Sequence, residues 1–242
     1  MAVKFRSKRY KQSLEFLPKQ AVTIEEAVPV LKKFKTTKFN ESVNLVVHLG
    51  IDAKQADQTV RGSLSLPKGI GKTRKVIAFV QGNNIDTAKT AGAIEAGADD
   101  LIKKVGDGWT DFDVAIATPD MMPKITKLGK VLGPQGKMPS PKAGTVTADV
   151  ATAVKEYTAG KVEFRNDAGG NVHVVVGKAN FSEHDLAANV HAFLNAIRRL
   201  KPPTAKGSFI KKVTIHSTMS PGVQLDVSHL DTELTEEEQE NA

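Results

Sequence analysis

The sequence predicts an α/β chain in which a strand-helix region of parallel type is inserted into a half-buried sheet drawn from both ends of the 242 residues. Three observations predict it. Residues 42–50 alternate Val43, Leu45, Val47 and Leu49 with Ser42, Asn44 and His48, the period-two mark of a strand with one wet face. Residues 76–80 and 112–117 are short apolar runs separated by an alanine-rich helical stretch, the mark of strands covered on both faces. After Gly160 the half-buried pattern returns, so strands near 42–66 and beyond 161 are expected to share one mixed sheet around the inserted middle.

Taken in order, residues 7–17 form a helix with Tyr10, Leu14 and Leu17 on one face and bases on much of the other. Thr23 and Glu26 make a capping-box pair ahead of Ala27, Val30, Leu31 and Phe34, with Pro29 expected to kink that helix or shift its start. Strand 42–50 follows. Beyond Pro67 come strand 76–80, helix 84–96 and strand 112–117, which stops before Pro119. Helix 147–159 is amphipathic through Val150, Val154 and Tyr157, and Gly160 supplies its stop signal. Strands 161–166 and 171–176 flank Asp167-Ala168-Gly169-Gly170 and read as a hairpin. Helix 182–200 starts at a Ser182/Asp185 cap, carries Arg198-Arg199 at its end and is stopped by Pro202-Pro203. Strands 209–217 and 223–227 close the chain around Ser220-Pro221-Gly222. The two crossings into and out of the insert, near 67–71 and near Gly160, both contain glycine, which suits a hinge.

Composition excludes several kinds of function. A chain with 40% hydrophobic and 25% charged residues is globular and soluble rather than disordered. The absence of cysteine removes thiol nucleophiles, iron-sulfur clusters and cysteine-built zinc modules, and fits a reducing compartment. The longest apolar run, 76–80, is far too short to span a bilayer, and the basic N-terminus lacks the apolar stretch of a secretory signal; a cytoplasmic protein with no membrane partner is expected.

Charge is more informative once it is placed along the chain. The formal net charge is +7, from 34 bases and 27 acids. Residues 231–242 hold six of those acids and no base, so the remainder carries 34 − 21, or +13. Residues 1–40 contain ten bases and three acids, and residues 121–145 contain Lys124, Lys127, Lys130, Lys137 and Lys142 with no acid. Clustered cations are the footprint of a phosphate-backbone binder, and equally of a solubilising surface. The acidic end reads as a disordered, solubilising tail rather than a mimic of RNA.

Motifs for catalysis are missing. Gly69-Ile70-Gly71-Lys72-Thr73 ends like a phosphate-binding loop, but Leu66 stands where the leading glycine belongs and the strand follows the motif instead of preceding it. Gly133-Pro134-Gln135-Gly136-Lys137 fails because Met138 replaces the magnesium-binding hydroxyl. Gln81-Gly82-Asn83-Asn84 is no dinucleotide fingerprint. His184 and His191 lie two helical turns apart, too far for one metal, and the carboxylates of Asp99, Asp100, Asp107, Asp111 and Asp113 suit solvated loops better than acid-base catalysis. No cofactor or metal is expected.

Three polar, glycine-rich stretches remain: Leu49-Gly50-Ile51-Asp52 running on to Asp57-Gln58-Thr59-Val60-Arg61-Gly62, residues 133–146 (GPQGKMPSPKAGTV), and Phe164-Arg165-Asn166-Asp167. Together they closely resemble the bacterial L-one family of large-subunit ribosomal proteins, over residues 1–227. The resemblance implies an α+β domain from both chain ends (1–67 and 161–230) that binds large-subunit rRNA, an inserted doubly wound, Rossmann-like domain (68–160), and a tail (231–242) outside the shared pattern. It implies a monomer when free, part of the mobile stalk near the tRNA exit site, that assists release of exit-site tRNA and represses its own operon by binding an mRNA mimic of the rRNA site. The implied rRNA- and mRNA-contacting residues are Lys38, Phe39, Glu41, Ser42, Arg165, Asp167, Thr218, Met219 and Ser220. Without the resemblance, Phe39 reads as a core residue. Ser220 stands where the family usually has glycine, and its hydroxyl is expected to bond a ribose. The lysines of residues 121–145 are expected to meet tRNA or rRNA backbone. A nucleotide-dependent enzyme built on the insert and an RNA chaperone without site preference are the alternatives.

Overall fold

A computed structural model describes residues 7–34, 37–82 and 84–227; the acidic segment 231–242 lies outside the described residues. Helix α1 (Lys8–Glu15) begins where Ser7 Oγ accepts from the Tyr10 amide at 3.3 Å. Helix α2 (Ile24–Lys33) begins at the reciprocal Thr23/Glu26 capping box. Pro29 lies inside α2 without shifting its start, because its missing N–H removes only the bond to the carbonyl of Glu25, an exposed residue. Strand β1 (Ser42–Leu49) alternates part-exposed and buried residues along its whole length. A loop in which Gln58 Oε1 accepts from the Asp52 amide at 2.8 Å leads to β2 (Arg61–Ser65). There follow β3 (Val76–Phe79), α3 (Asn84–Thr90), β4 (Glu95–Gly97), α4 (Asp99–Gly106), β5 (Val114–Ala117), and the short helices α5 (Met122–Ile125) and α6 (Gly129–Leu132). Helix α7 (Val150–Ala159) is capped by Asp149 and ended by Gly160 at φ 110°. Strands β6 (Lys161–Arg165) and β7 (Asn171–Lys178), helix α8 (Glu183–Arg199) and strands β8 (Ile210–Ser217) and β9 (Val223–Leu225) complete the chain.

Four expectations are corrected. The helix expected over 84–96 stops at Thr90, because Gly92 turns the chain at φ 110° and the Ile94 amide bonds the Val76 carbonyl at 2.9 Å, feeding β4 into the sheet. Asp99 and Asp100 occupy the first turn of α4, where acids complement the helix dipole, rather than a loop. The 167–170 turn forms, with the Asp167 amide bonding the Asn171 carbonyl at 2.8 Å, but its flanking strands share only the Asn166–Val172 bridge: β6 pairs with β2 and β7 with β1. The four strands of the half-buried sheet pair antiparallel throughout, the parallel contact on it being the single Val22–Leu225 bridge at the β9 edge, and β2 and β6 lie outside it.

The chain divides into two compact units. The first takes residues up to Val60, Leu66–Lys68, and everything from Arg165 on. Its sheet has the order β7-β1-β8-β9, with α2 and α8 packed on each other and on one face. Leu45, Val47, Val172, Val213, Ile215, Val190 and Phe193 are fully or almost fully buried between them. Buried Asn189 ties α8 to the sheet, donating to the Val176 carbonyl at 2.8 Å and accepting from the Lys68 amide at 3.1 Å.

The second unit takes Arg61–Ser65 and Gly69–Phe164. Its parallel sheet has the order β4-β3-β5. Alternate residues of β3 serve two cores: Ile77 and Phe79 pack with Leu101, Val105, Met121 and Ile125 on one face, and Val76 and Ala78 with Ala88, Val150, Val154 and Tyr157 on the other. Helices on both faces explain why these strands read as continuous apolar runs. The glycine-rich stretch 133–146 is a structural loop here: the Ser140 amide bonds Thr145 Oγ1 at 2.7 Å, Gly144 sits at φ 70°, and Tyr157 Oη donates to the Ala143 carbonyl. Burial pushes the Tyr157 hydroxyl up to about 12.

Candidate nucleic-acid interface

The site is built at the N-terminal end of β1, where residues 37–42 meet the turn after β8. Glu41 joins them. It is 5% exposed, one carboxylate oxygen accepts from the Thr37 amide at 3.2 Å, and the other accepts from Ser217 Oγ and from the Met219 amide at 3.0 Å. Burial raises its pKa, but the hydrogen bonds from Ser217, Met219 and Thr37 outweigh burial and hold the carboxyl below its usual 4.5. Ser42 continues the seam: its amide bonds Thr218 Oγ1 at 3.1 Å, and Lys178 Nζ donates to its hydroxyl at 2.8 Å.

This frame turns two large apolar side chains outward. Phe39 is 55% exposed and Met219 48% exposed, on the two segments that Glu41 ties together. Phe39 is therefore not a core residue. Lys38 and Thr218 are also exposed. The Ser220 hydroxyl is used inside the turn: it accepts from the Ser217 amide at 2.9 Å and donates to the Pro221 carbonyl at 2.9 Å. Its one proton is thus directed to the protein's own backbone, and the hydroxyl meets a ribose only as an acceptor.

Arg165 and Asp167 lie elsewhere on the same unit. Asp167 sits beside Asn171, which pairs with His48, whereas Ser42 pairs with Lys178. The two groups of predicted residues are thus at opposite ends of β1, roughly 20 Å apart at about 3.4 Å per residue. Asp167 organises its own turn, accepting from the amides of Asn171 at 2.7 Å and Gly169 at 2.8 Å; these bonds, the Asn171 amide foremost, hold its carboxyl down to about 2. Arg165 is exposed.

The lysines of the second unit divide. Lys124 pairs with Asp99 at 2.9 Å, an acid that the local sequence does not contain, and Lys137 Nζ donates to the Thr110 carbonyl at 2.9 Å over the Phe112 ring. Lys127, Lys130 and Lys142 are exposed, with no carboxylate paired to them among the described residues. Sequence reasoning missed Thr37, Ser217 and Lys178. The one signal for Ser217 is a hydroxyl that ends the inward row Ile210, Val213, Ile215 of β8, which is otherwise apolar.

Among the described residues no group of three His, Asp or Glu side chains could hold a metal ion, and no helix is long and apolar enough to cross a membrane. His191 pairs with Glu25 at 3.1 Å.

A family model described as the ribosomal protein L1p/L10e family matches residues 31–221. The chain is 50% identical over 222 residues to large ribosomal subunit protein uL1 of Kosmotoga olearia, covering 91% of this chain and 96% of that protein. It is 50% identical over 212 residues to the protein of the same name from Protochlamydia amoebophila, covering 88% and 90%. It is 49% identical over 222 residues to that of Cutibacterium acnes, covering 91% and 96%.

Proposed function

From the premise that the chain belongs to the ribosomal protein L1p/L10e family, we propose that it binds folded large-subunit rRNA through the surface around Glu41. The family is one of structural ribosomal proteins and not of enzymes, which places the chain among the cytoplasmic components of the large subunit. The observation that carries the reading is the pair Phe39 and Met219: two large apolar side chains exposed on separate segments that a buried carboxylate clamps together. A rigid, partly apolar surface edged by Lys38, Ser42 and Thr218 suits unstacked bases and ribose hydroxyls of folded RNA. Glu41 and Ser220 belong to it as the groups that hold its backbone, and Arg165 and Asp167 form a second contact at the far end of β1. Exposed Lys127, Lys130 and Lys142 of the second unit contact tRNA or rRNA backbone without reading sequence. The family resemblance supports the remaining roles: part of the mobile stalk, release of exit-site tRNA, and repression of the chain's own operon through an mRNA that copies the rRNA site.

The test compares binding of the full chain to the rRNA stalk fragment and to a scrambled RNA of equal length over a salt series. Preference for the fragment that persists at high salt is expected, since counterion release supplies only the sequence-independent part. Phe39→Ala should cost about 1–3 kcal/mol of affinity while leaving the melting temperature unchanged. Equal binding to both RNAs would instead indicate a chaperone without site preference.

A further inference from the structure

The glycine-rich loop 133–146 is no nucleotide loop, yet its residues 136–138 line a small cavity of about 90 Å³ within the second unit. Arg74, just ahead of β3, and Asp113, just ahead of β5, also line it, as do Glu163 of β6 and Tyr157 of α7. The cavity therefore lies at the N-terminal ends of the parallel strands, whereas doubly wound sheets ordinarily bind nucleotides outside the carboxyl ends. Pockets for drug-sized ligands run to about 300–1,000 Å³, so this one admits an ion-sized group and not a nucleoside.

Two acids and two bases line the cavity, and the acids already have cations of their own. Glu163 Oε1 accepts from Arg61 Nη2 at 2.6 Å and from Arg61 Nε at 3.1 Å. Asp113 accepts from the Lys75 amide at 3.0 Å and from Lys72 Nζ at 3.2 Å. The Lys75 amide foremost, with Lys72 and the charge of Arg74 behind it, outweighs burial and holds the Asp113 carboxyl below its usual 3.8. The bases have no such match. Lys137 Nζ donates to the Thr110 carbonyl and lies 5.1 Å from the centre of the Phe112 ring, and neither partner cancels its charge. Arg74 is part-exposed and makes no hydrogen bond and no ion pair among the described residues, which leaves its five N–H donors unbonded. Tyr157 Oη directs its proton to the Ala143 carbonyl and adds no donor.

We infer that this cavity binds a small tetrahedral oxyanion, a phosphate ion or a terminal phosphate group, held by the guanidinium of Arg74 and the ammonium of Lys137. The guanidinium fork matches one edge of a phosphate with two parallel N–H···O bonds, and the lysine supplies a point charge. Gly136, at φ 67°, makes the turn that presents Lys137. Because Arg74 leads into β3 and Lys137 belongs to the glycine-rich loop, a bound oxyanion ties that loop to the parallel sheet. The inference is independent of how the first unit binds rRNA.

The experiment titrates inorganic phosphate into the full chain at constant ionic strength, with chloride as the balancing anion. It follows the melting temperature and the fluorescence of Trp109, the single tryptophan, whose ring lies 5.6 Å from that of Phe112. A saturable response is expected, with the melting temperature raised by about 2–4 °C at about five times the dissociation constant. Arg74→Gln should weaken phosphate binding about tenfold or more, and Lys137→Gln several-fold. Arg74→Lys keeps the charge but not the fork and should fall between wild type and Arg74→Gln. The general stabilisation that phosphate gives any fold appears equally in the variants, so only the difference between them and wild type reports the site. If ribose 5-phosphate binds as inorganic phosphate does, the site takes a terminal phosphate group; if inorganic phosphate alone binds, it takes the free ion. A phosphate response that is the same in wild type and in a folded Arg74→Gln variant, including no response in either, would overturn the inference. Should Arg74→Gln fail to fold, Lys137→Gln decides in the same way.

Discussion

Glu41 and Asp167 are both carboxylates that hold backbone in place, one from a buried position and one from the surface. For Glu41, Glu41→Gln presents an amide nitrogen to donors on Ser217 or Met219 and is expected to lower stability by about 1.5–3 kcal/mol. The pH sign follows from its lowered folded pKa: the carboxylate's contribution is complete above the usual value of 4.5 and is lost as pH falls through the folded value. Thermal unfolding of wild type and variant from about pH 7 to about pH 3 should show the gap closing toward acid, and a constant gap would contradict this. Ser220→Gly removes the two bonds that close the turn after β8, so a loss of about 1 kcal/mol in a denaturant titration is expected, with RNA affinity reduced rather than improved. At this scale the sequence was legible only in part. The family resemblance marked Phe39 and Thr218 as candidates; residue type alone placed Phe39 in the core, which its exposure excludes, and Ser217 looked like an ordinary strand residue.

Elements whose ends are set by neighbouring residues were legible: the Thr23 and Ser182 caps and the Gly160 stop are contacts within a few positions of each other. Strand β4 and helix α4 were not. Three residues of strand carry too little periodicity to be seen, and β4 exists because β3 offers it a parallel edge. Gly160 shows what an element boundary demands. At φ 110° a side chain is strained, and a Cβ there would lie 3.1 Å from the amide nitrogen and Cγ1 of Ile70. Gly160→Ala is therefore expected to destabilise by about 2 kcal/mol or more, read as a lower urea midpoint; an unchanged midpoint would mean that the chain relaxes out of the left-handed conformation.

For the whole molecule, the net charge of +7 sums an acidic end and a +13 remainder. Removing residues 231–242 leaves 34 bases against 21 acids, and RNA association is expected to become faster and more steeply salt-dependent at low salt, converging with the full chain as salt rises. Stopped-flow association rates across a salt series check this, and identical slopes would show that the acids do not act on the RNA-facing charge. By itself the sequence determined the α/β class, the helix caps, the buried and half-buried strands and the family resemblance, because each is written in spacing or in contiguous motifs. Only the tertiary structure decided that β6 joins β2, that Glu41 is buried between Thr37 and Met219, and that the candidate residues stand at the two ends of β1. The physical reason is distance along the chain. Periodicity records that a residue is buried, but not which segment buries it, and the bond from Ser42 to Thr218 that shapes the surface spans 176 positions.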